Sequence, residues 1–123
     1  SDRRAFLEKV LASERAQLVE PIVPDEEAAL IMKARHSIFY ETQLEYLLRA
    51  DEIDSVCVVG QVTEQCILYS VLDAHIRHIE TVIPRDAVAH IDADLAEAAL
   101  RMMELNMEAT VTAASDVEFV PAS

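Results

Sequence analysis

The sequence predicts an α/β fold built around a parallel sheet. Short apolar runs alternate along the chain with longer amphipathic stretches, which is the pattern of strands joined by helical crossovers. The apolar runs are continuous, as expected for strands of a sheet that is covered on both faces. A length of 123 residues is enough for one domain with one hydrophobic core, so we expect a single domain over residues 1–123.

The first half of the chain predicts two helices and a buried strand. Residues 3–12 place apolar side chains on one helical face, and the prolines that follow break the helix. Residues 28–32 (AALIM) form a short continuous apolar run, which predicts a strand that ends at Lys33. Residues 42–50 carry a leucine stripe with helical spacing.

The second half continues the alternation. The run DSVCVVG at 54–60 is β-branched and ends at the single glycine, which makes it the clearest strand of the chain. Asp92 stands before a stretch with acids in its first turn and is a suitable N-cap. The predicted elements are helices at 64 to 75 or 78 and at 92–106, strands at 79–84 and 109–113, and a short edge piece at 117–120.

Composition excludes several classes of function. Ten basic and 23 acidic residues give a net charge of −13, which argues against nucleic acid and anionic membrane surfaces as partners. The single glycine excludes both the Walker loop and the dinucleotide fingerprint. His75 and His78 lie one helical turn apart without an evident third ligand, so we expect no metal and no cofactor. Two cysteines, no CxxC motif and no signal peptide predict free thiols and a cytoplasmic protein.

Cys66 is the candidate nucleophile. Thr63 is a suitable N-cap, which places Cys66 in the first turn of a helix. The unpaired N–H groups and the dipole of a helix start favour a thiolate there, and the same N–H groups can receive an oxyanion. The alternative is that Cys66 packs as a small apolar residue. Cys57 lies in mid-strand between two valines, and we expect it to be an inert core residue.

Lys33 and the loop histidines are weaker candidates. Lys33 at the end of an apolar run either reaches solvent with its ammonium group or is partly desolvated and holds a thiolate. His36 and His90 follow predicted strand ends, where the chemistry of parallel sheets is usually found. Both are therefore candidates for lining a pocket.

Several segments resemble the isochorismatase-like cysteine hydrolases, a family that includes nicotinamidases, N-carbamoylsarcosine amidase and ureidoacrylate amidohydrolases. Residues 60–67 (GQVTEQCI) resemble the family's nucleophile turn, and residues 33–44 (KARHSIFYETQL) resemble its K…SxFxxTxL segment. Shorter matches are LLR at 47–49 followed by ID at 53–54, DA at 73–74 and DAV at 86–88. The likeness covers residues 20–112.

The resemblance implies a fold and a chemistry. The fold is a three-layer α/β/α sandwich with a parallel, Rossmann-like sheet. The chemistry is cleavage of a C–N bond in a small amide or ureido substrate through a thioester. Cys66 would be the nucleophile, with Lys33 beside it and the backbone N–H groups of Val62 and Cys66 as the oxyanion hole. The resemblance also implies a cis peptide bond between Gln61 and Val62. The cysteine favours amide chemistry, because true isochorismatases typically lack it.

Further expectations follow from the same motifs. Phe39, Gln61 and Thr63, together with His36, are candidate pocket-lining residues. The family's triad includes an Asp in an apolar DxQ-like or DMxN-like segment, and its nicotinamidase branch binds metal in the same region. No such segment precedes Lys33, so we expect that this chain lacks the family's N-terminal strands and that an upstream segment of the same polypeptide carries them.

Two hypotheses of different classes therefore stand side by side. The first is a hydrolase that acts on a small molecule as a homo-oligomer, since the helices near residues 44–48 and 68–72 offer apolar surface. The second is a non-catalytic remnant of the fold that lacks the triad Asp.

Overall fold

The structure, a computed structural model, describes the backbone of residues 2–120 and the side chains of residues 4–120. The chain divides into two compact units, Ser1–Ile31 and Met32–Ser123, where the sequence alone predicts a single domain. The first unit contains helices α1 (Asp2–Leu11) and α2 (Ala16–Val19), followed by a 3₁₀ turn at Glu20–Ile22. The helix predicted at residues 3–12 is thus confirmed with slightly different ends.

The strand predicted at residues 28–32 is wrong. These residues have neither helical nor strand backbone, and no described strand pairs with them. An apolar run becomes a strand only where a neighbour supplies a hydrogen-bond ladder. Met32, at the end of the run, is 71% exposed.

The main sheet of the second unit is parallel, as predicted. It has three strands, β1 (Ser55–Cys57), β3 (Glu80–Pro84) and β5 (Thr110–Thr112), in the order β1-β3-β5. Val56 pairs with Thr81 in one ladder, and Ile83 pairs with Val111 in the other. β3 is the central strand, and its side chains at 81, 83 and 84 are buried, as expected for a strand with a neighbour on each side.

The predicted strand at 54–60 is divided between two sheets. After β1, Gly60 has a φ of 114°, a backbone conformation that L side chains rarely adopt. This turn starts β2 (Gly60–Gln61), which pairs in parallel with β4 (Val88–Ala89), a strand that the sequence analysis missed. The edge piece predicted at 117–120 is wrong, because the structure shows no strand there.

Three helices of the second unit lie close to their predicted positions. They are α3 (Leu44–Ala50), α4 (Leu68–Ile76) and α5 (Ala93–Asn106). The Asp92 side chain accepts a hydrogen bond from the Leu95 N–H at 3.0 Å and so caps α5 as predicted. Among the described residues, no helix is long and apolar enough to cross a membrane.

Two apolar clusters form the core of this unit. The larger one joins the sheet to α4 and α5 and includes Val71, Ile83 and Met103, which are fully buried. The smaller one packs Phe39 and Leu48 against Ala74 of α4 and the neighbouring Ile79. Helix α4 contributes to both clusters, so its position, and with it that of the preceding turn, is determined from two sides.

Candidate active site

Cys66 lies in a π-helical turn, Thr63–Ile67, that leads directly into α4. The Val62 carbonyl accepts hydrogen bonds from the N–H groups of Gln65 at 3.0 Å and Ile67 at 3.1 Å, which widens the turn. The prediction that Thr63 is an N-cap is wrong: Val62 occupies that position, and no side chain caps the turn. The Thr63 hydroxyl instead donates to the Ala89 carbonyl at 3.1 Å, because β4 lies beside the turn.

A second bond anchors the same turn. The Glu64 carboxylate accepts hydrogen bonds from the N–H groups of Asp92, at 2.6 Å, and Ile91, at 3.1 Å. These N–H groups, that of Asp92 foremost, hold the pKa of Glu64 below its usual value. Thr63 and Glu64 together tie the turn that carries Cys66 to β4 and to the start of α5.

The structure brings Lys33 and Cys66 together. The distance from Lys33 Nζ to Cys66 Sγ is 3.8 Å, although the residues are 33 positions apart. Lys33 Nζ also donates to the Arg35 carbonyl at 3.1 Å, which holds the ammonium group on the side of the thiol. Cys66 is half-buried and Lys33 is exposed. This pair places a cation against a thiol in the turn that leads into α4.

An open cleft of about 460 Å³ lies over the pair. Its walls are mostly apolar, and its polar side chains are Lys33, Gln61, Ser70 and the two cysteines. None of the described residues that line this cleft is an Asp or Glu. Cys57 is half-buried and lines the cleft, so the prediction that it is a core residue is wrong. Its partial burial raises the pKa of its thiol, which makes it the less reactive type of thiol.

Of the other predicted site residues, some line the cleft and others do not. Gln61 is exposed and lines the cleft, and the Gln61–Val62 peptide bond is cis, as the motif implied. Phe39 and Thr63 are buried, with 5% and 1% of their surface exposed, and neither lines the cleft. Both side chains belong to the protein interior: the Phe39 ring lies under a guanidinium group, and Thr63 is used as an anchor. His36 and His90 are exposed and do not line the cleft, contrary to the prediction. The His36 ring instead packs edge-to-face on Tyr69, with ring centroids 5.8 Å apart.

Ser70 is a site residue that the sequence analysis missed. It lines the cleft and is 2% exposed, and its hydroxyl accepts a hydrogen bond from the Ile38 N–H at 3.0 Å. Its position four residues after Cys66 could have revealed it, because such residues share a helix face. Within the part of the chain that the structure describes, no three His, Cys, Asp or Glu side chains group as metal ligands.

Comparison with known proteins identifies the family. The sequence profile of the isochorismatase domain matches residues 8–116, which is most of the chain. The chain belongs to the isochorismatase family. Its parallel α/β architecture is accordingly that of isochorismatase-like hydrolases, and the predicted fold class is confirmed.

Several known proteins are similar to the chain over part of their own length. It is 30% identical over 107 residues to the uncharacterized isochorismatase family protein YaaI of Bacillus subtilis, covering 86% of this chain and 59% of YaaI. It is 33% identical over 73 residues to an N-carbamoylsarcosine amidase of an Arthrobacter species, covering 59% of this chain and 28% of that enzyme. The crystal structure of a Staphylococcus aureus nicotinamidase superposes with a TM-score of 0.71 at 28% identity, covering 80% of this chain and 64% of that one. The chain therefore spans less than two thirds of the length of each of these relatives.

Proposed function

We propose that the protein is a cysteine amidohydrolase that cleaves the C–N bond of a small amide or ureido compound. The observation that carries this proposal is the 3.8 Å contact between Lys33 Nζ and Cys66 Sγ at the edge of an apolar cleft. A cation beside a thiol favours the thiolate, which is the nucleophilic form of cysteine. Two of the relatives carry the names of amidases that act on such compounds.

The chemistry proposed for this pair proceeds in two stages. Cys66 Sγ attacks the carbonyl carbon, and the resulting oxyanion is received by the backbone N–H groups of Val62 and Cys66. The C–N bond then breaks, and the nitrogen takes a proton from solvent water and leaves as ammonia or an amine. A water molecule attacks the remaining thioester, which releases the carboxylic acid, returns a proton to the solvent and restores the thiolate. Lys33 balances the negative charge on sulfur at the start and at the end.

The cleft favours a small substrate with limited charge. Its apolar walls suit a compact organic group, while Gln61 and Ser70 offer amide and hydroxyl groups for orientation. The names of the relatives suggest nicotinamide and N-carbamoylsarcosine as first probes. Both carry a carbonyl carbon bonded to nitrogen, which is the bond that the proposed mechanism breaks.

The test measures release of ammonia by the full polypeptide that carries this sequence. We expect release from at least one member of a panel of small amides, and a loss of about 10³-fold or more in Cys66→Ser. Cys57→Ser is the matched control, because it removes a second thiol of the same cleft, and it should retain turnover. Mass spectrometry of the acid-quenched enzyme should find the acyl group on the peptide that contains Cys66.

Two results would refute the proposal. Turnover that survives in Cys66→Ser would remove the thiol from the reaction. A folded protein that releases no ammonia from any amide and traps no acyl group would support the non-catalytic alternative.

A further inference from the structure

The segment that carries Lys33 has no regular backbone structure. Residues 29–43 contain neither a helix nor a strand in the structure. The position of Lys33 is therefore not imposed by a hydrogen-bond ladder. Something else must hold its ammonium group 3.8 Å from Cys66 Sγ.

Two buried serines fasten this segment to helix α4. The Ser37 hydroxyl donates to Asp73 Oδ2 at 2.5 Å, and the Ile38 N–H donates to the Ser70 hydroxyl at 3.0 Å. Ser70 and Asp73 lie three residues apart on α4, so they share one face of the helix. Helix α4 directly follows the turn that contains Cys66. Helix α4, which follows Cys66 directly, thus also holds the segment that carries Lys33.

Asp73 is itself held in place by a second set of contacts. Its other carboxylate oxygen, Oδ1, accepts a hydrogen bond from Arg77 Nη1 at 3.1 Å. Arg77 Nε donates to Glu45 of α3 at 2.6 Å, and the guanidinium carbon lies 4.9 Å from the centre of the Phe39 ring. The carboxylate that receives the Ser37 hydroxyl therefore has a determined orientation.

We propose that Ser37 is a positioning residue, which keeps Lys33 in contact with Cys66 through its hydrogen bond to Asp73. The inference rests on the proposed function, in which Lys33 and Cys66 work as a pair. Four residues of extended chain reach about 13 Å, so the segment could carry Lys33 well away from the thiol if this anchor were lost. An anchor that served only the fold would leave the reactivity of Cys66 unchanged.

The test measures how fast iodoacetamide alkylates Cys66 at a series of pH values, with peptide mapping to separate it from Cys57. In Ser37→Ala the midpoint of the pH–rate profile should move to higher pH by about half a unit or more, in the direction expected when a thiolate loses a cationic partner. In a Lys33→Met background the same substitution should produce no further shift, because the two residues act through one contact.

Three further measurements complete the test. Asp73→Leu keeps the size of the side chain and removes both acceptor oxygens, so it should shift the profile in the same direction even if Ser37→Ala folds poorly. Thr81→Val removes another buried hydroxyl, which does not line the cleft, and should leave the profile unchanged. Circular dichroism establishes that each variant is folded.

The outcomes separate this inference from the proposed function. A folded Ser37→Ala or Asp73→Leu with the wild-type profile would overturn the inference. So would a shift in either variant that adds fully to the shift of Lys33→Met. Because alkylation needs no substrate, the inference is decided whether or not the protein releases ammonia. If the proposed function fails, the protein shows no turnover, or its turnover does not depend on Cys66.

Discussion

Removing the charge of Lys33 is the most direct perturbation of the candidate site. Lys33→Met keeps most of the length of the side chain and deletes the ammonium group that lies 3.8 Å from Cys66 Sγ. The start of the helix remains intact in this variant, so any change in the reactivity of Cys66 reports the lysine alone. We expect the thiolate to form only at higher pH than in the wild type.

The size of the effect follows from the geometry. Two unit charges about 4 Å apart interact by about 1 kcal/mol in bulk water, which corresponds to a little less than one pH unit. The apolar walls of the cleft strengthen the interaction, while the exposure of Lys33 weakens it through solvent screening. We therefore expect the midpoint of alkylation to rise by about one pH unit, within the range of one to three found for close partners. Below the midpoint, this shift lowers the alkylation rate about tenfold.

The assay is the pH–rate profile of iodoacetamide alkylation of Cys66. Lys33→Arg retains a positive charge and should stay close to the wild-type profile. Arg101→Met is a matched control for net charge, because it also removes one positive charge from a residue that does not line the cleft. A Lys33→Met profile that coincides with that of the wild type would remove Lys33 from the active site and refute the reasoning.

Four other predictions concern separate features of the chain. Iodoacetamide at neutral pH should label Cys66 before Cys57, because burial raises the pKa of the Cys57 thiol; preferential labelling of Cys57 in peptide maps would contradict this. Glu64→Gln should lower the free energy of unfolding at neutral pH. The pKa of Glu64 is lowered in the folded protein, so the loss of stability in Glu64→Gln should be present above the usual glutamate pKa of 4.5. Denaturation measured at a series of pH values should show this loss disappear as pH falls through the lowered pKa. Thr81→Val should stabilise the protein by about 1–3 kcal/mol in urea titrations, because this buried hydroxyl has no hydrogen-bond partner among the described residues; a loss of stability would show that it has one. Light scattering at micromolar concentration should give the mass of a homo-oligomer, since Tyr69, Leu72 and Ile76 expose apolar surface on α4, and a monomeric mass would contradict it.

The parts of the fold that local sequence patterns determine were predictable. The central strand β3 (ETVIP) contains β-branched residues, and α5 begins at an N-cap that is recognisable from residue type alone. The helix that follows Cys66 was found from its apolar spacing, and its position relative to a glycine-ended strand led to the nucleophile turn. Each of these patterns spans fewer than about 15 consecutive residues, so it can be recognised in a single sequence.

The details of the turn that carries Cys66 were not predictable in the same way. Thr63 has the residue type of an N-cap, yet its hydroxyl bonds to the Ala89 carbonyl 26 positions away. The competing partner belongs to β4, a strand of two residues that is too short to produce a periodic signal. The local preference of threonine for a cap was therefore overridden by a tertiary contact that the sequence does not display.

Lys33 lies beside Cys66, as expected, although the secondary structure predicted for its segment is wrong. The sequence analysis placed it at the carboxyl end of a strand over residues 28–32, where parallel sheets carry their chemistry. The structure has no strand there, but Lys33 still lies against Cys66. The contacts that fasten its segment join Ser37 to Asp73 and Ile38 to Ser70, across 36 and 32 positions of sequence. Bonds between single side chains at such separations have no period, so they emerge only from the folded chain. The reactivity of the thiol in Ser37→Ala accordingly tests what no sequence pattern could show: whether the site depends on these bonds.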